Sequence, residues 1–464
     1  MPLPRTLGEL RGSEYRMRSV REELRDNLMA ALRSGQPLFA GLIGYQETVV
    51  PQVENAILAG QDIIFLGERG QAKSRLIRAL TSLLDEQLPI VAGSEVHDDP
   101  YAPISRLGRD LVADLGDATP IEWVPRDRRF GEKLATPDTS IADLIGEVDP
   151  IRVAEGRYLA DELTIHYGLL PRVNRGIFAI NELPDLAERI QVGLLNIMEE
   201  RDVQIRGFQV RLPLDVMVVA TANPEDYTNR GRIITPLKDR FGAQIRTHYP
   251  RSSVQEAEII EQEGASFEGL GVNLHVPAYM RELVAEISQL ARHTAQINQR
   301  SGVSVRLSIA NFETMCANSI RRAIQLGEPE AVPRISDLVA LAASTSGKLE
   351  LETWEEGEDQ VVIQKLVRGA ISTVFRHHFS LQEFAPLLAR FEQGLSLETG
   401  ERIPASRYLQ MASSLPETAR ILADLDEPNQ PASVAAALEL VLEGLHLAKR
   451  LNKTSVDGTA VYAS

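Results

Sequence analysis

The stretch Gln61-Asp-Ile-Ile-Phe-Leu-Gly-Glu-Arg-Gly-Gln-Ala-Lys-Ser74 decides how the rest of the chain is read. Asp62 to Leu66 is a short apolar run, the pattern of a buried strand in a parallel sheet. Gly67 and Gly70 break it, and from Lys73 onward Leu76, Ile77, Leu80, Leu83 and Leu84 fall at helical spacing. A strand, a glycine loop, Lys-Ser and a helix form the architecture of a phosphate-binding loop. Backbone N–H groups at the helix N-terminus face a phosphate, Lys73 reaches its outer oxygens, and the Ser74 hydroxyl can ligate Mg²⁺. The candidate nucleotide contacts are therefore Gly67, Glu68, Arg69, Gly70, Gln71, Ala72, Lys73, Ser74 and Arg75. The pattern asks for glycine directly before the lysine, where this chain has Ala72, whose methyl group would crowd the phosphates. Taken alone, the motif leaves an ordinary β–turn–α connection open.

Upstream of the loop, residues 14–34 read as an amphipathic helix with Val20, Leu24, Leu28 and Leu32 at four-residue steps. Gly41 to Tyr45 is a glycine-marked turn placed to pack on an adenine, and a helix follows from about 46 to 58. Downstream, Pro89 to Val91 suits a strand. Residues 94–138 read as an insertion with little regular structure, and the cluster Arg126, Arg128 and Arg129 as a solvated surface. Residues 145–157 suggest a hairpin or a strand–helix excursion. Gly176-Ile-Phe-Ala-Ile-Asn-Glu182 is a second buried parallel strand ending in polar residues, and a helix spans 186–200. Residues 202–212 alternate as a hairpin does. Leu214 to Asn223 is a third buried strand with a polar tip, 235–242 a short helix, and 244–249 one more strand before Pro250.

Beyond 251 the periodicity is helical, with segments near 252–265, 277–297, 304–324, 334–346 and 360–378. Residues 348–359 form an acidic loop. Helices are expected to continue near 380–394, 405–414, 416–425 and 431–451.

The length of 464 residues suits roughly two to four domains. With 49 basic against 65 acidic residues the net charge is −16, which argues against bulk attraction to nucleic acid or anionic membranes. The single cysteine, Cys316, excludes an intramolecular disulfide or a cysteine metal cluster and reads as a buried thiol. The opening residues lack a signal-peptide core, and the longest apolar runs, such as Val216 to Ala220, are strand-sized. A cytoplasmic location without membrane insertion is expected.

Polar tips at successive strands after a phosphate loop gain meaning together. ATP hydrolysis needs a phosphate cradle, a held Mg²⁺, a base that orients water, and positive charge at the γ-phosphate. Lys73 and Ser74 suit the first two, and Glu182 suits the base. Asn223 at a neighbouring tip suits positioning of the water, and Arg240 suits an arginine finger acting on a neighbouring subunit. Arg306 opens a helix that would close over the nucleotide. Each has a plainer reading: Asn223-Pro224 as a turn, Glu182 as a charge at a helix N-terminus, Asp239-Arg240 as a local ion pair.

With these residues in view, residues 41 to about 345 resemble the AAA+ ATPases of the magnesium-chelatase small-subunit and MoxR type. The matches are Gly67-Glu-Arg-Gly70 with Lys73-Ser74, the run Gly168 to Glu182, Ala222-Asn-Pro-Glu225, Leu237 to Gly242, and Ser304-Val-Arg306. About two-thirds of the chain is covered. The resemblance implies a P-loop α/β parallel-sheet core at 41–250, with insertions near 94–165 and 202–212. It implies an all-α lid at 251–378, flanked by an N-terminal helical extension at 1–40 and a helical C-terminal extension at 379–464. By the same resemblance Lys73 and Ser74 are Walker A, Asn181-Glu182 Walker B, Asn223 sensor one, Arg240 the finger and Arg306 sensor two. Ser74 and Asn181 would then serve the metal, and ATP and Mg²⁺ would be the ligands. A ring, commonly a hexamer, and a partner bearing a von Willebrand A or integrin-like domain are also implied.

Two departures bear on activity. The family has aspartate where this chain has Asn181, and glycine where it has Ala72. A neutral amide keeps an acceptor oxygen near hard Mg²⁺ but loses the charge, and outer-shell changes of that kind cost on the order of 10- to 100-fold. Asp185, one turn on, is a compensating candidate. The expectation is a ring-forming ATPase, slow or partner-stimulated, that remodels or activates a partner, with metal insertion or complex maturation as possible purposes. Rival readings are a magnesium-chelatase subunit acting on protoporphyrin, and an ATP-binding scaffold with little turnover. A sigma-factor activator would need a DNA-binding helix pair that the sequence does not display.

Overall fold

The computed structural model describes residues 3–148, 162–200, 202–204, 211–223, 231–299, 301–351, 358–456 and 458–464. It divides into two compact units, residues 1–248 and 249–464.

The first unit is organised by a five-stranded parallel sheet. Its strands are β1 (Ile63–Leu66), β2 (Phe130–Leu134), β3 (Gly176–Asn181), β4 (Val216–Ala222) and β5 (Ala243–Arg246), in the order β5-β1-β4-β3-β2. Side chains of a strand point alternately to opposite faces. Ile63, Phe65, Ile177, Ala179, Met217 and Val219 accordingly enter the core on one face. Ile64, Phe178, Ile180, Val218 and Ala220 enter the core on the other. Burial of both faces is why β1, β3 and β4 are unbroken apolar runs rather than alternating ones.

One face is covered by helices α1 (Val20–Ser34), α2 (Val50–Leu58) and α3 (Lys73–Ala79), and the other by α4 (Glu188–Glu200) and α5 (Thr235–Arg240). The expected amphipathic helix begins later than residue 14, because Ser19 and Glu22 form a reciprocal capping box that fixes its start at Val20. Val20, Leu24 and Leu28 are buried, whereas Leu32 is 45% exposed.

The expectation of little regular structure over 94–138 is corrected. That segment holds a helix at Arg106–Leu115, a strand at Ile121–Pro125 paired antiparallel with Gln87–Val91, and the edge strand β2. An edge strand is covered on fewer sides, so Phe-Gly-Glu-Lys-Leu carries only a weak apolar signal. The reading of Arg129 as a solvated charge is also corrected. Its guanidinium is fully buried, donates to both carboxylate oxygens of Glu23 at 2.7 and 2.5 Å, and also donates to the carbonyl of Arg175. Arg128 of the same cluster is exposed.

Strand pairs Gly146–Val148 with Ile165–Tyr167, and Asp202–Gln204 with Arg211–Pro213, frame the two expected excursions. The intervening residues 149–161 and 205–210 lie outside the described ones, as do Pro224 and Glu225 and most of the acidic loop.

The second unit is helical around a main core that runs from Ile260 to Tyr462, with a small satellite cluster at Ile320, Ala323 and Ala331. Its main helices are α6 (Ser253–Glu263), α7 (Ala278–His293), α8 (Val305–Leu326), α9 (Glu358–His378) and α10 (Pro431–Leu447). Helix α10 is buried on all sides from Ala432 to Leu445, including two carboxylates. Glu439 accepts from the Tyr408 hydroxyl at 2.5 Å and Glu443 from Lys453 at 2.7 Å, which satisfies the charges inside the core. Beyond α10 the expected run of helices gives way to strands. Asn452–Val456, Thr459–Ala463 and Leu397–Gly400 form a three-stranded antiparallel sheet. In the sequence, Asp-Gly at 457–458 between two short β-prone runs is a hairpin signal, with Asp457 itself outside the described residues. Cys316 is buried as expected, and desolvation pushes its thiol up to about 12. Among the described residues no helix is long and apolar enough to cross a membrane.

Candidate nucleotide site

The loop after β1 is shaped by close packing. A Cβ at Gly67 would lie 1.9 Å from the Thr247 hydroxyl and 2.3 Å from the Gln71 amide oxygen, so only glycine fits there. Gln71 is buried and folds back into the loop, where its amide oxygen accepts from the Glu68 N–H at 3.1 Å and from the Thr247 hydroxyl at 2.7 Å. From beneath, the buried Tyr45 hydroxyl is shared between the carbonyls of Gln71, 2.8 Å away, and His248, 2.9 Å away. The residue that the turn at 41–45 contributes therefore props the loop and lies edge-on to the His248 ring. Gln71, Thr247 and Tyr45 act as pins that motif reading passes over, because their role is set by distant backbone.

At the loop's end Gly70 has φ 75°, and Ala72 sits in the left-handed region at φ 52° and ψ 20°. Helix α3 starts there with no side-chain hydrogen bond from its N-cap residue, and the N-terminus of a helix favours an anion. Ser74 and Arg75 lie exposed in the first turn, and Glu68 and Arg69 flank the loop's outer side.

Lys73 is buried and its ammonium donates to the carbonyls of Gly67 and Glu68, at 2.5 and 2.8 Å, and to the Asn223 amide oxygen at 2.6 Å. The Asn223 amide nitrogen in turn donates to a carboxylate oxygen of Glu182 at 2.7 Å. These two bonds fix the amide's orientation, since the reverse placement would set NH₂ against ammonium. Lys73, Asn223 and Glu182, expected to meet from the ends of three segments, are thus one hydrogen-bonded chain. They converge because β1, β4 and β3 are adjacent and parallel, so their carboxyl ends share an edge.

Glu182 itself is at φ 55°, ψ 50°, a backbone conformation that costs a non-glycine residue energy. Its N–H donates to the Thr221 hydroxyl at 2.9 Å, which ties the tips of β3 and β4 together. Asn181 also has a charged neighbour that sequence reading missed: its amide donates to Glu132 of β2 at 2.5 Å. Glu132 also receives Arg78 of α3 at 2.9 and 3.2 Å, one helical turn past Ser74. The edge strand thereby sets a carboxylate beside Asn181.

The donor set fits a Mg²⁺-bound triphosphate: helix N-terminal amides and one lysine for phosphate oxygens, and a hydroxyl, an amide oxygen and a carboxylate for a hard cation. Arg240 stands apart from the chain Lys73–Asn223–Glu182. It closes α5, is 44% exposed, and pairs with Glu199 of α4. Gln191 locks the approach to α5, donating to the Leu186 and Arg232 carbonyls and accepting from the Ile234 N–H. Arg306 belongs to the second unit, exposed in the first turn of α8 just after the cap Ser304.

Over residues 155–240 the chain matches the family described as the Sigma-54 interaction domain. It is similar to the magnesium-chelatase subunit ChlI of Nostoc sp., 28% identical over 237 residues that span 48% of this chain and 58% of that one. To the magnesium-chelatase 38 kDa subunit of Cereibacter sphaeroides it is 25% identical over 240 residues, 49% and 63% of the two chains. The ChlI subunit of Nephroselmis olivacea is 27% identical over 285 residues, 59% of this chain and 74% of that one. Among solved structures, one of a complex between subunits BchI and BchD of magnesium chelatase aligns with 70% of this chain and 98% of that chain, at 20% identity and a TM-score of 0.37. The chain spans somewhat over half the length of the Nostoc and Cereibacter relatives. The chain is thus similar in sequence to magnesium-chelatase ChlI and 38 kDa subunits, and its β5-β1-β4-β3-β2 parallel sheet carrying the phosphate loop is the P-loop core that the AAA+ resemblance implied.

Proposed function

We propose that the protein binds Mg²⁺·ATP at this edge of the sheet and hydrolyses it within a homo-oligomeric ring, in order to remodel or activate a partner protein. The observation that carries the proposal is the Lys73–Asn223–Glu182 chain beside an uncapped helix and glycine loop.

Bound Mg²⁺ would supply neutralisation of the phosphate charge. Ser74 would hold it directly, with Asn181 and Glu132 in its outer shell. On binding, Lys73 exchanges the loop carbonyls for phosphate oxygens, a charge-assisted contact stronger than those it leaves. Glu182 then accepts the proton of the attacking water, and Asn223 keeps carboxylate and water aligned through the bond it already makes. Arg240 would release Glu199, an exposed pair of small worth, and reach a neighbour's γ-phosphate, while Arg306 acts as a second cationic sensor. Asn181 and the strained Ala72 make slow or partner-stimulated turnover the expected regime.

A hexamer is the proposed ring, and a protein with a von Willebrand A or integrin-like domain the proposed partner. A chelatase role, with Mg²⁺ insertion into protoporphyrin, is the second reading, favoured by the names of the relatives. Steady-state phosphate release from the full chain, beside Glu182→Gln, is the test. Release that the substitution abolishes supports the motor, and equal rates in both support a scaffold. Porphyrin-dependent stimulation would favour the chelatase reading.

A further inference from the structure

Away from the nucleotide site, three metal-ligating side chains of the second unit meet at one point. Glu282 lies on α7, and His377 and His378 end α9. One Glu282 oxygen is 2.6 Å from His377 Nδ1 and the other is 3.0 Å from His378 Nε2. The three candidate ligand atoms all lie within 4.8 Å of one another.

Consecutive residues on a helix diverge by about 100°, so adjacent histidines do not ordinarily serve one point. Here they do, because His377 offers its near nitrogen and His378 its far one. The helix end that presents them is fixed from below. Phe375 and Phe379 are buried and pack on Phe384, the first stacked at a centroid separation of 5.8 Å and the second edge-on at 5.5 Å. The side chain with opposing charge, Arg376, is turned back onto Ser372 of its own helix at 2.5 Å. Glu286, one turn along α7 from Glu282, adds negative charge on the same side, and the C-terminal end of α9 favours a cation.

We propose that Glu282, His377 and His378 bind a first-row divalent cation of the Zn²⁺ class, separate from the Mg²⁺ of the nucleotide site. Two imidazoles and one carboxylate suit Zn²⁺ or Co²⁺, and they suit Mg²⁺ and Ca²⁺ poorly because those ions take oxygen ligands. Ligand atoms about 2.0–2.2 Å from a tetrahedral ion stand roughly 3.3 Å apart, so the present spacing closes on an ion with small side-chain rotations. His377 Nδ1 and His378 Nε2 would give lone pairs to the ion, their protons residing on the opposite ring nitrogens. His377 is 66% exposed, so water completes the coordination and the ion exchanges with solvent. Such an ion would staple α7 to α9.

The test is Co²⁺ titration of the full chain followed by visible absorption, with Zn²⁺ competition, for wild type, His377→Ala, His378→Ala and Glu282→Gln. The expected result is one Co²⁺ per chain with bands of low-coordinate geometry, displaced by Zn²⁺ but not by excess Mg²⁺. Each substitution should weaken binding on the order of 100-fold, at least the upper end of what outer-shell changes cost. His377 is exposed, so its alanine variant keeps the fold and the comparison stands even where the others unfold. Absence of saturable Co²⁺ binding, or His377→Ala binding as wild type does, overturns the site and leaves an ordinary carboxylate–histidine cluster. Neither outcome touches the Mg²⁺·ATP proposal, whose residues other than Arg306 lie in the first unit.

Discussion

Ala72 occupies backbone that glycine adopts freely, and its side chain is exposed, so its methyl gains little packing in return. Left-handed backbone costs a residue with a Cβ about 1–2 kcal/mol, partly offset by the greater freedom glycine regains on unfolding. Ala72→Gly is therefore expected to stabilise the chain by roughly 0.5–1 kcal/mol in urea denaturation, and to tighten ATP binding. A loss of stability would show that the loop's turn is not the strained point. Asn181 gives a second prediction at this scale. Asn181→Asp sets a carboxylate beside Glu132, which repels without the cation and helps with it. The Mg²⁺ concentration for half-maximal turnover should fall about tenfold, and Glu132→Gln should raise it by a similar factor. Kinetics at fixed ATP and varied Mg²⁺ decide this, and an unmoved Mg²⁺ dependence in both would remove the pair from the metal's surroundings.

Among elements, α1, the entry to β2 and the entry to β3 are joined by one buried ion pair. Arg129 donates to both oxygens of Glu23 and to the Arg175 carbonyl, and Glu23 also accepts from the Asp85 N–H. Removing one partner of a buried pair leaves an unpaired charge in the core and costs about 3–5 kcal/mol. Arg129→Met should destabilise by about that much in chemical denaturation. A change below about 1 kcal/mol would mean that water reaches the carboxylate. This is also where sequence reading failed: in the string Arg-Asp-Arg-Arg nothing separates the buried arginine from its exposed neighbour, because burial is set by Glu23, 106 positions away. The strands β1, β3 and β4 were legible because both faces of the sheet are covered, and a doubly buried strand is apolar throughout. β2, at the edge, and the C-terminal hairpin lacked that signature.

For the whole molecule, the lysine, carboxylate and amide of the site were legible because each ends an apolar strand or opens the helix after one. Glu132 was not, since its relevance comes from strand order and not from spacing. The ring proposal makes its prediction here. Lys73→Ala retains Arg240, and Arg240→Ala retains the nucleotide site, so each alone should be inactive. A random equal mixture pairs an intact site with an intact finger at about a quarter of the interfaces, and activity should reappear on that order. An inert mixture would place Arg240 in a contact confined to its own subunit. The most direct test of the central claim is equilibrium titration of the full chain with a fluorescent ATP analogue and Mg²⁺, for wild type, Lys73→Ala and Asn223→Ala. The account predicts saturable one-to-one binding by wild type, weakened by more than about tenfold in Lys73→Ala and to a smaller degree in Asn223→Ala. Wild type that stays unsaturated at millimolar Mg²⁺·ATP, or Lys73→Ala that binds equally well, would contradict it.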